Sequence, residues 1–213
     1  MNTNFGLVLS SLVLLAGAVA LLPTRTRANP NETPDIDSPW REIRVDQKTG
    51  TPETVIRRWP EFSQKTARVL IAEYGSPDAY ASNSLMWRRN GSWSRTVLFG
   101  RSQTYPRADR QPEILMQVVA YRVPASKTAE LSRFDRRLRV DRQNGELSFQ
   151  SARESTNFLA LNLADEIIRG VRTVPQARRF LRDAEILRRS GKSSRYMDRL
   201  LFQVRRTSLD YPE

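Results

Sequence analysis

Hydrophobic positions divide the chain into three regimes. Phe5 to Leu22 is an apolar run without a charged residue, closed by Pro23, Arg25 and Arg27. At about 1.5 Å per residue it falls just short of the roughly 30 Å hydrocarbon core of a bilayer, so length leaves signal peptide and anchor both open. Cleavage-type patterns occur at Ala18-Val19-Ala20 and Thr26-Arg27-Ala28. Against cleavage, Arg25 and Arg27 follow an N-terminus without Lys or Arg, a bias that holds a retained helix with its C-terminal side in the cytoplasm. Residues 1–28 are therefore expected to be a signal peptide or membrane anchor. Residues 29–58 are polar, with Asn-Pro, Thr-Pro and Ser-Pro steps between acidic spacers, and read as a Pro-rich tether. Folded-domain periodicity runs over 59–206 and leaves 207–213 as a tail.

Within the domain, Phe62, Thr66, Val69, Leu70 and Glu73 recur at helical spacing between Pro60 and Gly75. Two Asn-Gly steps predict hairpins. Asn90-Gly91 joins Leu85–Arg89 to Ser92–Phe99, with Arg89 opposite Ser92 and Arg88 opposite Trp93, so that Trp87 and Trp93 point to opposite faces. Asn144-Gly145 sets Arg142 opposite Leu147 and Val140 opposite Phe149, leaving Leu138, Val140, Leu147 and Phe149 on one face. Between the hairpins, Ile114 to Val123 reads as a strand covered on both sides, and Ser126 to Arg136 as a short amphipathic helix. Three more helices follow: one capped at Ser155 or Thr156 and running to Gly170, one from the capping box Thr173 to Gln176 as far as Gly191, and one from Ser193 or Ser194. The expected fold is α+β, a mostly antiparallel five-stranded sheet with packed helices and a helical C-terminal third.

Charge adds a constraint on partners. Thirty-five Lys and Arg face 23 Asp and Glu, for a formal net charge of +12. Removal of residues 1–28 takes away only Arg25 and Arg27, so the remainder stays basic. Lys occurs only at 48, 65, 127 and 192; the other cations are Arg, whose planar fork matches phosphate and carboxylate. Cysteine and histidine are both absent, which removes disulfides, thiolate and imidazole metal ligands, cysteine nucleophiles and the commonest general acid-base group. No metal site and no cofactor is expected.

Trp59-Pro60, the stretches Ala67 to Asp78, Leu85 to Phe99 and Val118 to Pro124, and above all Asn157-Phe158-Leu159-Ala160-Leu161-Asn162-Leu163-Ala164 with Thr173 to Arg178 resemble a family of uncharacterised bacterial proteins. The resemblance covers roughly residues 59–182 and implies no activity. Members of that family carry a histidine before the third strand and a cysteine between hairpin and helix, neither of which is present here. A fainter likeness, in the Gly-x-Pro turn within Tyr74 to Asp78, is to small outer-membrane assembly lipoproteins, whose lipid-bearing cysteine is missing.

Candidate chemistry is sparse. Trp87, Arg88, Arg89, Trp93 and Arg95 make a basic, aromatic hairpin of a composition that stacks on bases or sugars and holds phosphates; the competing reading is a cross-strand Arg88-Trp93 packing contact. Asn157 and Asn162 sit among leucines, as ligand contacts or as satisfied buried hydrogen bonds. Asp165-Glu166 diverge by about 100° on a helix and make a poor acid-base pair. Arg178, Arg179, Arg182, Arg188 and Arg189 line one helix, where Asp183 and Glu185, at i,i+4 from Arg179 and Arg189, make the stripe a soluble surface. These patterns together lead to the expectation of a non-catalytic, membrane-targeted binding or structural module of the bacterial envelope, exported or membrane-attached. Its partner would be an anionic envelope polymer, lipid headgroups or another envelope protein. A cytoplasm-facing, membrane-anchored binder of nucleic acid or anionic lipid is the alternative. A carboxylate-based enzyme comes third and requires acidic side chains that converge in a pocket.

Overall fold

β-Branched and aromatic residues between turn signals build a six-stranded antiparallel sheet in the computed structural model, which describes residues 50–102 and 112–204. Strands β1 (Ala79–Ala81), β2 (Ser84–Asn90), β3 (Trp93–Phe99), β4 (Leu115–Ala120), β5 (Leu138–Asp141) and β6 (Glu146–Ser151) lie in the order β1-β2-β3-β4-β6-β5. The sheet thus has one strand more than the five expected. The additional β1 is three residues long, too short for alternation to register. Its turn is fixed from outside: Trp59 Nε1 donates to Ser82 O at 2.9 Å, and Gly100 N to Asn83 O at 2.7 Å.

Both Asn-Gly hairpins form two residues away from the expected register. Val140 faces Leu147 and Leu138 faces Phe149, which leaves a four-residue loop, because the Asp141 carboxylate accepts from Asn144 N at 2.9 Å and Nδ2 at 2.7 Å. In the first hairpin Arg88 faces Arg95 and Asn90 faces Trp93. A slip of two preserves the side-chain faces, so the expected groupings Leu85, Trp87, Thr96 and Leu98 and Leu138, Val140, Leu147 and Phe149 hold. Trp93 is the exception. Arg89 sits at φ 51°, which breaks the alternation before the turn. Asn90 Nδ2 reaches Thr96 Oγ1 at 2.9 Å on the Trp87 side, and Trp93 turns to that side as well. The two tryptophans therefore share a face instead of opposing one another.

Helices cover that face. α1 (Pro52–Ile56) starts on a proline at its first turn, and its Ile56, 3% exposed, joins Trp59, Leu70, Leu85 and Trp87 in one apolar cluster. Folded structure therefore begins inside the stretch read as tether, where Val55-Ile56 is the apolar signal. α2 (Glu61–Tyr74) completes this cluster. A 3-10 turn (Ala125–Lys127) leads into α3 (Thr128–Phe134), which packs with α4 (Glu154–Ile168) and α5 (Val174–Arg189) around a second cluster on Val119, Leu147 and Phe149. Leu159, Leu161 and Leu163 of α4 are all fully buried, as expected of a helix between a sheet and other helices. The last helix, α6 (Arg195–Asp198), is shorter than its amphipathic pattern predicts. Asn162 is the reason: it donates to Tyr196 O at 3.0 Å and Arg199 O at 2.8 Å and accepts from Leu201 N at 2.7 Å, taking backbone groups that a longer helix needs.

Among the described residues no helix is long and apolar enough to cross a membrane. The expected membrane-targeted envelope module, whether exported with a signal peptide or held as a cytoplasm-facing transmembrane anchor, is corrected by this finding. Phe5 to Leu22, on which it rested, lies outside the described residues.

Candidate functional site

The hairpin residues separate into rings inside and charges outside. Trp87 is 2% exposed, donates Nε1 to Gly75 O at 2.9 Å and meets the Tyr74 ring edge-on at 6.3 Å. Trp93, equally buried, stacks on Phe158 at 4.7 Å. Arg88 and Arg89 are exposed, while Arg95 pairs with Glu146 at 2.7 Å. Neither indole is available to stack on a base or sugar, so the structure does not bring the hairpin set together as one site.

Both asparagines spend their side chains on internal hydrogen bonds. Asn157 accepts from Ser151 Oγ at 2.6 Å and donates to Gln117 Oε1 at 2.8 Å and Leu115 O at 3.3 Å. Gln117 passes the chain on to Glu154 Oε1 at 2.9 Å, which also accepts from Trp93 Nε1 at 2.5 Å and from the Tyr74 hydroxyl. This polar cluster ties α2, β3, β4, β6 and α4 together across the join of the two apolar clusters. Burial, the bond to Glu154 and its charge push the Tyr74 phenol far up, and burial with the Glu154 charge raises Glu73. Asn162 is equally committed, to the C-terminal segment.

The adjacent acids Asp165 and Glu166 diverge as their spacing predicts, each into its own partners. Asp165 accepts from the Tyr121 hydroxyl at 2.9 Å and from Arg169 at 2.8 Å; Glu166 accepts from the Tyr196 hydroxyl and from Arg172, both at 2.6 Å. Burial and the bond to Asp165 push the Tyr121 phenol far up. Among the described residues no group of three or more acidic side chains could hold a metal ion.

A different set of residues converges on a groove of about 680 Å³ between α5 and the corner where β6 runs into α4. Arg137 and Arg153 stand on one side, Arg182, Arg188 and Arg189 on the other, with Glu113 and Glu185 as the only acids lining it among the described residues. Both acids are engaged internally. Glu113 holds Arg137 at 3.2 Å, and Glu185 takes Thr156 Oγ1 at 2.8 Å on one oxygen and Arg188 at 3.0 Å on the other. Neither i,i+4 pair expected to neutralise part of this helix, Arg179 with Asp183 or Glu185 with Arg189, forms among the described residues; Glu185 turns instead toward Thr156 and Arg188. Arg182 and Arg189 are left exposed and without an ion pair among the described residues. α4 adds the positive end of its dipole here, since its N-cap residue, Arg153, makes no side-chain cap bond.

A neighbouring depression of about 570 Å³ at the start of α5 is also basic, but three of its four cations, all except the exposed Arg133, are occupied. Lys127 pairs with Glu130 at 3.0 Å, Arg172 with Glu166 at 2.6 Å, and Arg178 donates to the backbone carbonyls of Phe134 and Arg133.

The groove escapes the sequence reading because its walls come from segments far apart in the chain, Glu113, Arg137, residues 151–156 and residues 181–189, which only the fold brings together. Its one local trace is the excess of Arg over acid between Arg178 and Arg189. Comparison of the chain with protein-family models, curated proteins and solved structures finds no match in any of the three.

Proposed function

We propose that the domain is a non-catalytic recognition module whose Arg-lined groove between α5 and the β6-α4 corner holds an anionic partner. The observation that carries this reading is that Glu185 is engaged by Thr156 and Arg188 while Arg182 and Arg189 stand exposed in the groove without an ion pair among the described residues. Guanidinium forks in that state form paired, charge-assisted bonds to carboxylate or phosphate. The non-catalytic part of the reading is supported by a chain without His or Cys and by acids engaged with tyrosine, threonine and arginine partners.

The test is fluorescence anisotropy of the full-length chain with labelled poly-glutamate and with labelled oligo(dT) at several salt concentrations. Binding of at least one polyanion, weakening as salt rises and at least about tenfold weaker in Arg182→Gln/Arg189→Gln, supports the reading. No binding of either, or binding indifferent to the double substitution, overturns it.

A further inference from the structure

The groove's lining says more about the partner than its sign, and this step rests on the anion-binding reading above. Arg182, Ile186 and Arg189 stand at i, i+4 and i+7 on α5 and so share a stripe, with the arginines about 10 Å apart along the axis. Ile186 is 63% exposed, the highest value among the large hydrophobic residues that stand out, and half-buried Leu181 lies beside it in the same groove. An exposed aliphatic side chain between two cations that lack ion pairs favours a ligand bearing apolar and anionic groups together. None of the described residues lining the groove is aromatic, and Trp87 and Trp93 are buried elsewhere, so nothing there stacks on a nucleobase.

We infer that the groove docks an acidic amphipathic helix of a partner protein, with two carboxylates seven positions apart on either side of an aliphatic residue. Laid along α5, such a helix sets its carboxylates against Arg182 and Arg189 and its aliphatic side chain against Ile186 and Leu181, which is helix-in-groove recognition.

The experiment uses the full-length chain and three labelled probes. One is an alanine/glutamine-based helical peptide with glutamates seven positions apart and a leucine four positions after the first; the second replaces that leucine by serine; the third is a ten-nucleotide oligo(dT). The leucine peptide is expected to bind at least tenfold tighter than the serine peptide. Ile186→Ser, a surface change, is expected to abolish that difference while leaving oligo(dT) affinity within twofold. Equal binding of the two peptides, or tighter binding of oligo(dT) than of the leucine peptide, overturns the inference and leaves the anion-binding reading standing. Failure of all three probes to bind overturns the inference, and failure of poly-glutamate as well overturns both.

Discussion

Trp93 donates its indole N–H to the Glu154 carboxylate at 2.5 Å across 61 residues of sequence, and the same oxygen accepts from Gln117 and Tyr74. One acceptor therefore satisfies donors from β3, β4 and α2. Replacing it by alanine leaves three part-buried donors without a partner, each costing about 1 kcal/mol or more, so Glu154→Ala is expected to lose about 3 kcal/mol of stability. Glu154→Gln keeps an acceptor oxygen and is expected to lose about 1 kcal/mol. Urea unfolding followed by tryptophan emission measures both; equal losses would mean that the shared oxygen is not what matters.

Gly100 lies directly under the Trp59 ring. A methyl group there would come within 2.7 Å of Trp59 Cε2 and Nε1, closer than atoms pack. The indole cannot retreat without giving up its bond to Ser82 O, so Gly100→Ala is expected to cost about 2 to 3 kcal/mol through overpacking. Trp59→Phe in the same background opens space and is expected to recover part of the loss, a double-mutant cycle that a purely backbone effect would not reproduce.

Asn162 holds the C-terminal segment by three backbone bonds, to Tyr196, Arg199 and Leu201. Asn162→Leu is expected to release this segment locally before the rest of the domain unfolds. Limited trypsin digestion checks it: cleavage after Arg195 and Arg199 is expected to accelerate at least tenfold, while the α2-β3 region stays protected. Unchanged cleavage would place the hold on the segment in Met197 and Phe202 packing instead.

Tyr74 and Tyr121 bond to carboxylates, and burial with those bonds raises both phenols above the ordinary tyrosine value. In the unfolded chain they ionise near pH 10, while the folded protein retains their protons. Their contribution is full below that pH and declines as pH rises through the folded values, so stability is expected to fall steeply above pH 10. Urea midpoints at pH 8, 10 and 11 for the parent chain, Tyr74→Phe and Tyr121→Phe test the sign. The two variants are expected to be weaker at pH 8 and to show a shallower alkaline decline.

Class and face are legible in this sequence, and register is not. Alternation in Leu85–Phe99 and Leu138–Phe149 sorts residues between the two sheet faces correctly at all but one position, because a shift of two leaves the faces intact. The loops that set register depend on side chains that compete for the turn, such as Asp141 bonding Asn144. Trp93 changes sides through the left-handed Arg89, a backbone event that residue types do not announce. β1 is held by a contact from Trp59, and α6 is cut short by Asn162; both are tertiary overrides of local pattern. The charge pairing on α5 departs from its sequence pattern for a physical reason too. An i,i+4 rule pairs Glu185 with Arg189, whereas Thr156, brought in from α4, captures Glu185 and leaves Arg189 without it.

The claim that the groove is the binding surface is tested most directly by mapping where a polyanion lands. Amide hydrogen exchange of the full-length chain with and without poly-glutamate is predicted to show new protection confined to residues 151–156 and 181–189, absent in Arg182→Gln/Arg189→Gln. Protection centred on the hairpin at residues 87–95, or none anywhere, would contradict it.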